Sequence, residues 1–410
     1  MVNEMEKFLR IKDLSISHRN TRLLLLMQSC QSAIFFLPVL ILYYQAEIGL
    51  TFKDFMIIEA IFCATIITME IPSGWLSDLW SRKNTLAAGL AFTTAGFSFL
   101  LVADNFWQAA FSEVLTGIGV SLISGTNSAM LYDSLLQDGR TDEYRRLEGL
   151  RHGSSLYALA FASLAGGFLY QINHSLPVMV TVLGQACGII CALLMREPVR
   201  EHKAAEKHPI ADMVDTMKFA LHGHKEIAGI IFFAMVIFTS TKIMLWVQQP
   251  YYALLELPEI WYGVFTATGF LLGGLSGHLG HKLDNRIRNR TMFVFMLAAV
   301  VTACLIAGTV KSHAVIPLLL VGSVMWGFGW PRVQSAINMR VSSERRATIL
   351  STAALMISLA FIPVGSLMGI VTEAWGIQRG LFALGIFILI GGGGSLGLFV
   401  INARRKEAVA

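Results

Sequence analysis

Three charged residues stand inside otherwise apolar stretches, and their chemistry is the natural starting point. Glu113 lies roughly two turns into one such stretch, Lys242 follows Thr239-Ser-Thr in a second, and Arg332 ends Gly329-Trp-Pro-Arg in a third. A charge at the centre of a bilayer costs at least about 2.5 kcal/mol, so residues of this kind are kept for a purpose. For a carboxyl group, removal from water disfavours the charged form. Glu113 is therefore the leading proton-coupling candidate, with Glu59 and Glu70 behind it; the alternative is a structural partner for a nearby base, and Lys242 is the obvious base. Lys242 and Arg332 together suggest an anionic or zwitterionic substrate; snorkelling or pairing with a glutamate is the alternative for each. Gln28, Gln31 and Ser32, with Thr126, Asn127 and Ser128, add hydrogen-bonding groups. Gln334 adds another, and Trp326 and Trp330 add flat apolar surface, which together would line an amphiphilic cavity. Trp246 reads instead as lipid-facing or interfacial packing.

The elements that must position these residues follow from composition. Of 410 residues, 55% are hydrophobic and only 14% charged, against roughly one in four charged in soluble domains. A spanning helix needs about twenty apolar residues. Twelve stretches qualify: 21–43, 54–77, 84–103, 107–136, 147–170, 176–195, 226–250, 258–280, 291–310, 314–338, 347–370 and 380–402. The polar N-terminal segment and the length of the first apolar run argue against a cleavable signal peptide. The fold expected is an all-α membrane protein of twelve transmembrane helices in two pseudo-symmetric six-helix bundles.

The basic residues orient it. With both termini inside, nearly every Lys and Arg falls on the cytoplasmic side, leaving Lys53, Lys311 and Arg379 outside, the asymmetry expected of a polytopic membrane protein. The positive net charge then reflects topology and lipid contact, and nucleic acid is not an expected partner. The domains are a cytoplasmic segment 1–20, a bundle 21–195, a linker 196–225 with an amphipathic helix beginning at Pro209, a bundle 226–402 and a tail 403–410. The halves echo one another. Gly74-x3-Asp78-x3-Arg82 recurs as Gly280-x3-Asp284-x3-Arg288, and Glu143-Tyr-Arg-Arg as Ser343-Glu-Arg-Arg. Paired inverted or parallel repeats suit a carrier that rocks around one midplane site.

Between the second and third runs stands Gly74-Trp-Leu-Ser-Asp78-Leu-Trp-Ser-Arg82-Lys83. It resembles the G-x-L-x-D-x-x-G-R-K loop of the major facilitator superfamily, with Ser81 in place of the second glycine. With twelve spans and a six-plus-six repeat, the chain resembles the twelve-helix drug and metabolite proton-antiporter type. Of that type's helix-5 motif only Gly166-Gly167 is present. The resemblance implies that spans 1, 4, 7 and 10 line the cavity. It also implies a cytoplasmic latch in which Asp78 meets a helix N-terminus and Arg82 pairs with Asp133; Gly74, Lys83 and Arg151 are grouped with it.

The function expected is secondary active transport of a small amphipathic organic molecule across a bacterial inner membrane, by alternating access and with proton-coupled efflux. The alternative is transport of an anionic or zwitterionic metabolite or siderophore-type chelate. An enzyme or a non-transporting receptor is the remote third reading, since the external loops are short and no nucleophile–base set stands out. No cofactor and no metal is expected: His278 and His281 sit beside Lys282 at a helix mouth, and Gly391 to Gly394 suit close helix contact. The five cysteines, Cys30, Cys63, Cys187, Cys191 and Cys304, all lie in apolar runs, so no disulfide framework is expected. A monomer is expected.

Overall fold

The computed structural model describes residues 14–199, 225–283, 287–341 and 343–407; the side chains of Ile71, Asp78, 281–283, 343–347 and 402–407 lie outside the description. The amphipathic helix expected at Pro209, and Asp284 of the repeat echo, fall outside the described residues. Among those residues every regular element is a helix. That is what an apolar solvent dictates, because a helix satisfies its own backbone hydrogen bonds. The helices follow the twelve expected stretches in order, from Ile16–Ser32 to Ile377–Glu407. Nine helical segments among the described residues are long and apolar enough to cross a membrane.

Local signals set the helix ends. Ser81 Oγ accepts the Asn84 N–H at 3.0 Å and starts the helix Arg82–Leu100; Asn105 Oδ1 accepts the Gln108 N–H at 3.1 Å and starts Phe106–Ile123. Such caps satisfy backbone donors that the first turn leaves open.

The chain groups into two compact units. The first lies within Met1–Gly49, Thr65–Ala205 and Glu259–Ala267; the second lies within Leu50–Ala64, Glu206–Pro258 and Thr268–Ala410. The grouping therefore departs from the sequence halves at 50–64 and at 259–267.

In the first unit, helices 82–100 and 106–123 pack backbone to backbone. A Cβ on Gly119 would lie 2.4 Å from the Gly89 carbonyl oxygen, and one on Gly96 would lie 2.4 Å from Thr116 Oγ1. Small residues let spanning helices approach this closely. Leu24, Met27, Leu90, Met130 and Leu135 fill the apolar core behind them. Two polar side chains near the start of the first helix tie it to the end of the sixth. Arg19 donates twice to the Leu194 carbonyl, at 3.0 and 2.6 Å, and the Asn20 amide exchanges bonds with the Arg196 backbone, at 2.7 and 2.9 Å.

In the second unit the helix Lys225–Leu254 is central, with 78% of its most apolar stretch buried. Phe233 stacks on Phe293 at 4.8 Å, and Gln248 and Tyr251 donate to the Leu319 and Val310 carbonyls at 3.1 and 2.6 Å. The Arg340 guanidinium pairs with Glu226 at 2.6 Å, joining the end of helix 321–338 to the start of this central helix.

Candidate functional site

Two spans of the first unit are not continuous, which corrects the expectation of unbroken helices over 21–43 and 107–136. The first helix stops at Ser32, and the chain turns before resuming at Leu37–Val39. The fourth span parts at Ser124 and Gly125, where Gly125 takes φ +75°, and restarts as Thr126–Gln137. That left-handed backbone favours glycine. Interrupted backbone at membrane depth is tolerated where protein polar groups surround it, and it is a recurrent mark of transporter sites.

Polar side chains collect at these two breaks. Arg151, only 5% exposed, grips Glu148 with Nε at 2.9 Å and Nη2 at 2.7 Å. Its Nη1 donates to Gln28 Oε1, which also accepts from Asn127 Nδ2 at 3.2 Å. Gln28 Nε2 reaches Ser32 Oγ at 3.1 Å, Ser32 meets Ser155 at 2.6 Å, and Ser128 Oγ donates to Glu148 at 2.6 Å. Helices 16–32, 126–137 and 144–172 are thereby joined by one hydrogen-bonded network. The sequence groups Arg151 with the latch and offers Gln28 and Asn127 to substrate. In the structure the three are bonded to one another, so the hydrogen-bonding capacity of Gln28 Oε1 is spent on Arg151 and Asn127. Gln31 stands apart from this network; its backbone carbonyl accepts from Gln185 at 2.9 Å.

The charged turn is built differently. Arg82 Nε lies 2.6 Å from Asp133 Oδ2. The Glu197 carboxylate accepts the backbone N–H groups of both Arg82 and Lys83 at 2.9 Å, so a negative charge sits on the N-terminus of helix 82–100. A helix N-terminus favours such an anion by about 0.3–2 kcal/mol. Gly74 lies within the helix Phe52–Leu79 with open space where a Cβ would stand. Asp78 is in the same helix, and its side chain lies outside the described residues. Replacing Asp133 with Asn removes the charge opposite Arg82. Initial transport rates are expected to fall roughly two- to tenfold, the range that an interaction of about 0.4–1.4 kcal/mol spans, with ligand affinity unchanged. Rates equal to those of the parent protein would remove the latch role from this pair.

In the second unit Lys242 is surrounded. Its ammonium lies 2.8 Å from Glu59 Oε1 and 3.1 Å from Cys63 Sγ, with the Phe361 ring centre at 4.3 Å and that of Phe62 at 5.7 Å. The sequence suggests Glu113 as the counter-ion and ranks Glu59 only as a secondary proton-coupling candidate; Glu59 holds the counter-ion place and is 5% exposed. Helical rotation accounts for this, since Glu59, Phe62 and Cys63 are spaced to share one face. Glu113 belongs to the first unit, is 8% exposed, and accepts a 3.4 Å hydrogen bond from the Tyr44 hydroxyl.

The remaining candidates scatter. Arg332 is buried and its Nη2 donates to the Ile287 carbonyl at 2.9 Å, a bond that holds a turn. Trp326 and Trp330 both set edges against Phe238, at 5.3 and 5.4 Å, and Gln334 is half-buried nearby in sequence. Trp246 is buried against Phe55 at 5.1 Å, not turned to lipid. Glu70 is exposed. Two residues escaped the sequence argument. Glu148 is not singled out at the start of the stretch 147–170, although its spacing to Arg151 is the i,i+3 spacing of a helical ion pair. Glu197 gives no local signal, because its partners are backbone groups 114 and 115 residues away.

A helical membrane protein with interrupted spans and charges satisfied inside the apolar region defines a carrier architecture. The chain belongs to the Major Facilitator Superfamily, whose family model matches residues 23–365. It is thus a multi-pass membrane transporter, with the fold of that family, and not an enzyme. It is 25% identical over 359 residues to the multidrug transporter MdfA of Yersinia pestis, covering 82% of each chain. It is 23% identical to the class G tetracycline resistance protein of Vibrio anguillarum, over 74% of this chain and 77% of that one. Among solved structures, the nucleoside transporter NupG superposes with a TM-score of 0.78 at 13% identity, covering 94% of this chain and 99% of that chain; this likeness concerns the fold alone.

Proposed function

We propose that this transporter is a proton-coupled secondary carrier that exports a small amphipathic organic molecule across the inner membrane. The bundles at 21–195 and 226–402 would alternate access to the site, with both termini and the linker 196–225 in the cytoplasm. The observation that carries proton coupling is the buried Glu113 carboxyl beside the Tyr44 hydroxyl. A phenol donates to a carboxylate and accepts from a carboxylic acid, so the Tyr44 hydroxyl can serve both protonation states of Glu113. The relatives' names, a multidrug transporter and a tetracycline resistance protein, support export and an amphipathic cargo. The excess of basic residues in alternate loops supports the orientation.

The test uses proteoliposomes carrying a pH-sensitive dye and a chemically mixed ligand panel. Addition of a transported ligand is expected to move protons in the parent protein and to leave the pH unchanged in Glu113→Gln. Transport of a ligand without any proton movement would remove coupling from the proposal.

A second reading, an anionic or zwitterionic cargo, is favoured by one specific observation. Lys242 keeps 23% of its side chain exposed while its counter-ion Glu59 keeps 7%. The Lys242 side chain is thus the less covered of the two, while its ammonium is enclosed by Glu59, Cys63, Phe361 and Phe62.

A further inference from the structure

We infer that the indole N–H of Trp246 donates a hydrogen bond to the transported molecule, and so selects cargo with an oxygen acceptor on a flat apolar body. This rests on the proposal above that the cargo is an amphipathic organic molecule, and names the contact that recognises its polar part.

Helices 52–79 and 225–254 meet through two pairs of residues. Glu59 and Lys242 form one, at 2.8 Å; Phe55 and Trp246 form the other, with ring centres 5.1 Å apart and planes at 73°. The members of the two pairs are four residues apart on each helix, which puts both pairs on the facing sides. In the first pair each charged group has its partner. In the second, the ring of Trp246 is 6% exposed and its nitrogen is buried with no acceptor among the described residues. Packing against Phe55 asks for a ring and not for an N–H. Of the eight tryptophans in the chain, Trp246 alone is buried. A buried indole N–H usually finds a partner, and one left without bears its full desolvation cost.

Other buried polar atoms without partners say less. Those of Thr21, Ser163 and Thr372 are hydroxyls, whose proton rotates and can turn to the carbonyl one helical turn back. The proton of an indole is fixed in the ring plane, and the group is a donor only, so whatever completes it must bring a lone pair. Lys242, one turn away on the same helix, is also a donor only. Its ammonium is already engaged by Glu59, Cys63 and the Phe361 ring. The face is nonetheless open at that turn, where the Lys242 side chain keeps 23% of its surface exposed. A ligand that enters beside the Lys242 stem meets the Trp246 ring and its unsatisfied donor. An oxygen acceptor on that ligand gains the bond that Trp246 lacks; a hydrocarbon of the same shape does not. The contact creates and neutralises no charge, so Trp246 selects cargo without itself moving a proton.

The test is equilibrium dialysis of the purified full-length protein in detergent against protein-free micelles. Two matched probes are used, 2-acetylnaphthalene and 2-isopropenylnaphthalene, which differ by a carbonyl oxygen in place of a methylene. The ketone is expected to bind about three- to tenfold more tightly, the range of one net hydrogen bond. Trp246→Phe should erase that preference. Replacement of Trp246 by 3-benzothienylalanine keeps the bicyclic ring and puts sulfur where the N–H stands; it should erase the preference too, and it separates loss of the donor from loss of packing. Without ligand, the sulfur replacement should unfold at the same or a higher temperature, because it removes an unsatisfied donor. Equal affinity of the parent protein for the two probes would overturn the inference, as would binding of neither at millimolar concentration. A ligand-free protein destabilised by the sulfur replacement would also overturn it, since the nitrogen would then already have an acceptor, in Gln249 three residues on or in a water. Binding is read without a gradient, so absence of proton-coupled export in liposomes is a separate result from failure of the contact at Trp246.

Discussion

Glu148→Ala is expected to destabilise the protein by about 3–5 kcal/mol, the cost of leaving one partner of a buried ion pair uncompensated. Arg151 is 5% exposed, and Glu148 takes two of its bonds while holding Ser128 as well. Removal of the carboxylate strands a guanidinium among the ends of two interrupted helices. The measurement is thermal or denaturant unfolding of the purified protein, with Arg151→Met added on the same background. The double substitution removes the stranded charge and should recover a large part of the loss, as replacement of whole buried pairs by apolar groups commonly does. If the single change shifts unfolding no more than a surface substitution would, the network is not what joins helices 16–32, 126–137 and 144–172.

Gly119→Val is the second large effect. Its Cβ would meet the Gly89 carbonyl oxygen at 2.4 Å and the Thr93 backbone nitrogen at 2.8 Å. These are backbone atoms that cannot swing aside, so helices 82–100 and 106–123 must separate along their contact. Overpacking of a tight core costs typically about 1–3 kcal/mol and more where nothing yields. The folded yield after detergent extraction should drop sharply. Gly153→Ala provides the contrast: in the helix Tyr144–Ile172, a Cβ at Gly153 meets nothing within 4 Å. That change should be neutral or stabilising, since alanine exceeds glycine in helix propensity by about 1 kcal/mol. Equal behaviour of the two variants would show that the glycines do not set the helix approach.

The spans were legible because hydropathy and length are sequence properties, and the helices from Ile16–Ser32 to Ile377–Glu407 follow them. The breaks were not legible. Averaged hydropathy runs smoothly through Ser124-Gly125, and a positive φ at one glycine leaves no mark on it. The juxtaposition of Arg82 and Asp133 rested on a loop that resembles a known family signature, so these two residues were singled out before their 2.6 Å contact was seen. Lys242 was legible as a charge that must have a partner, but not which partner: both Glu59 and Glu113 lie in apolar runs, and only the rotation of helix 52–79 about its axis decides for Glu59. Glu148 was obscured by company, since it stands at the opening of the stretch 147–170 just after Arg145 and Arg146, where several bases compete as its partner.

The bonds from Arg19 and Asn20 to Leu194 and Arg196 span 175 and 176 residues of chain. During synthesis the first helix enters the bilayer long before its partners exist. At translation rates of about 5–20 residues per second, the interval is roughly 10–35 s. Throughout that time the Leu194 and Arg196 bonds of these two side chains are open, although Asn20 can already meet Ser134. The ribosome thus finishes the sixth span before these bonds can close, so the final depth of the first helix is set only once Leu194 and Arg196 have been made.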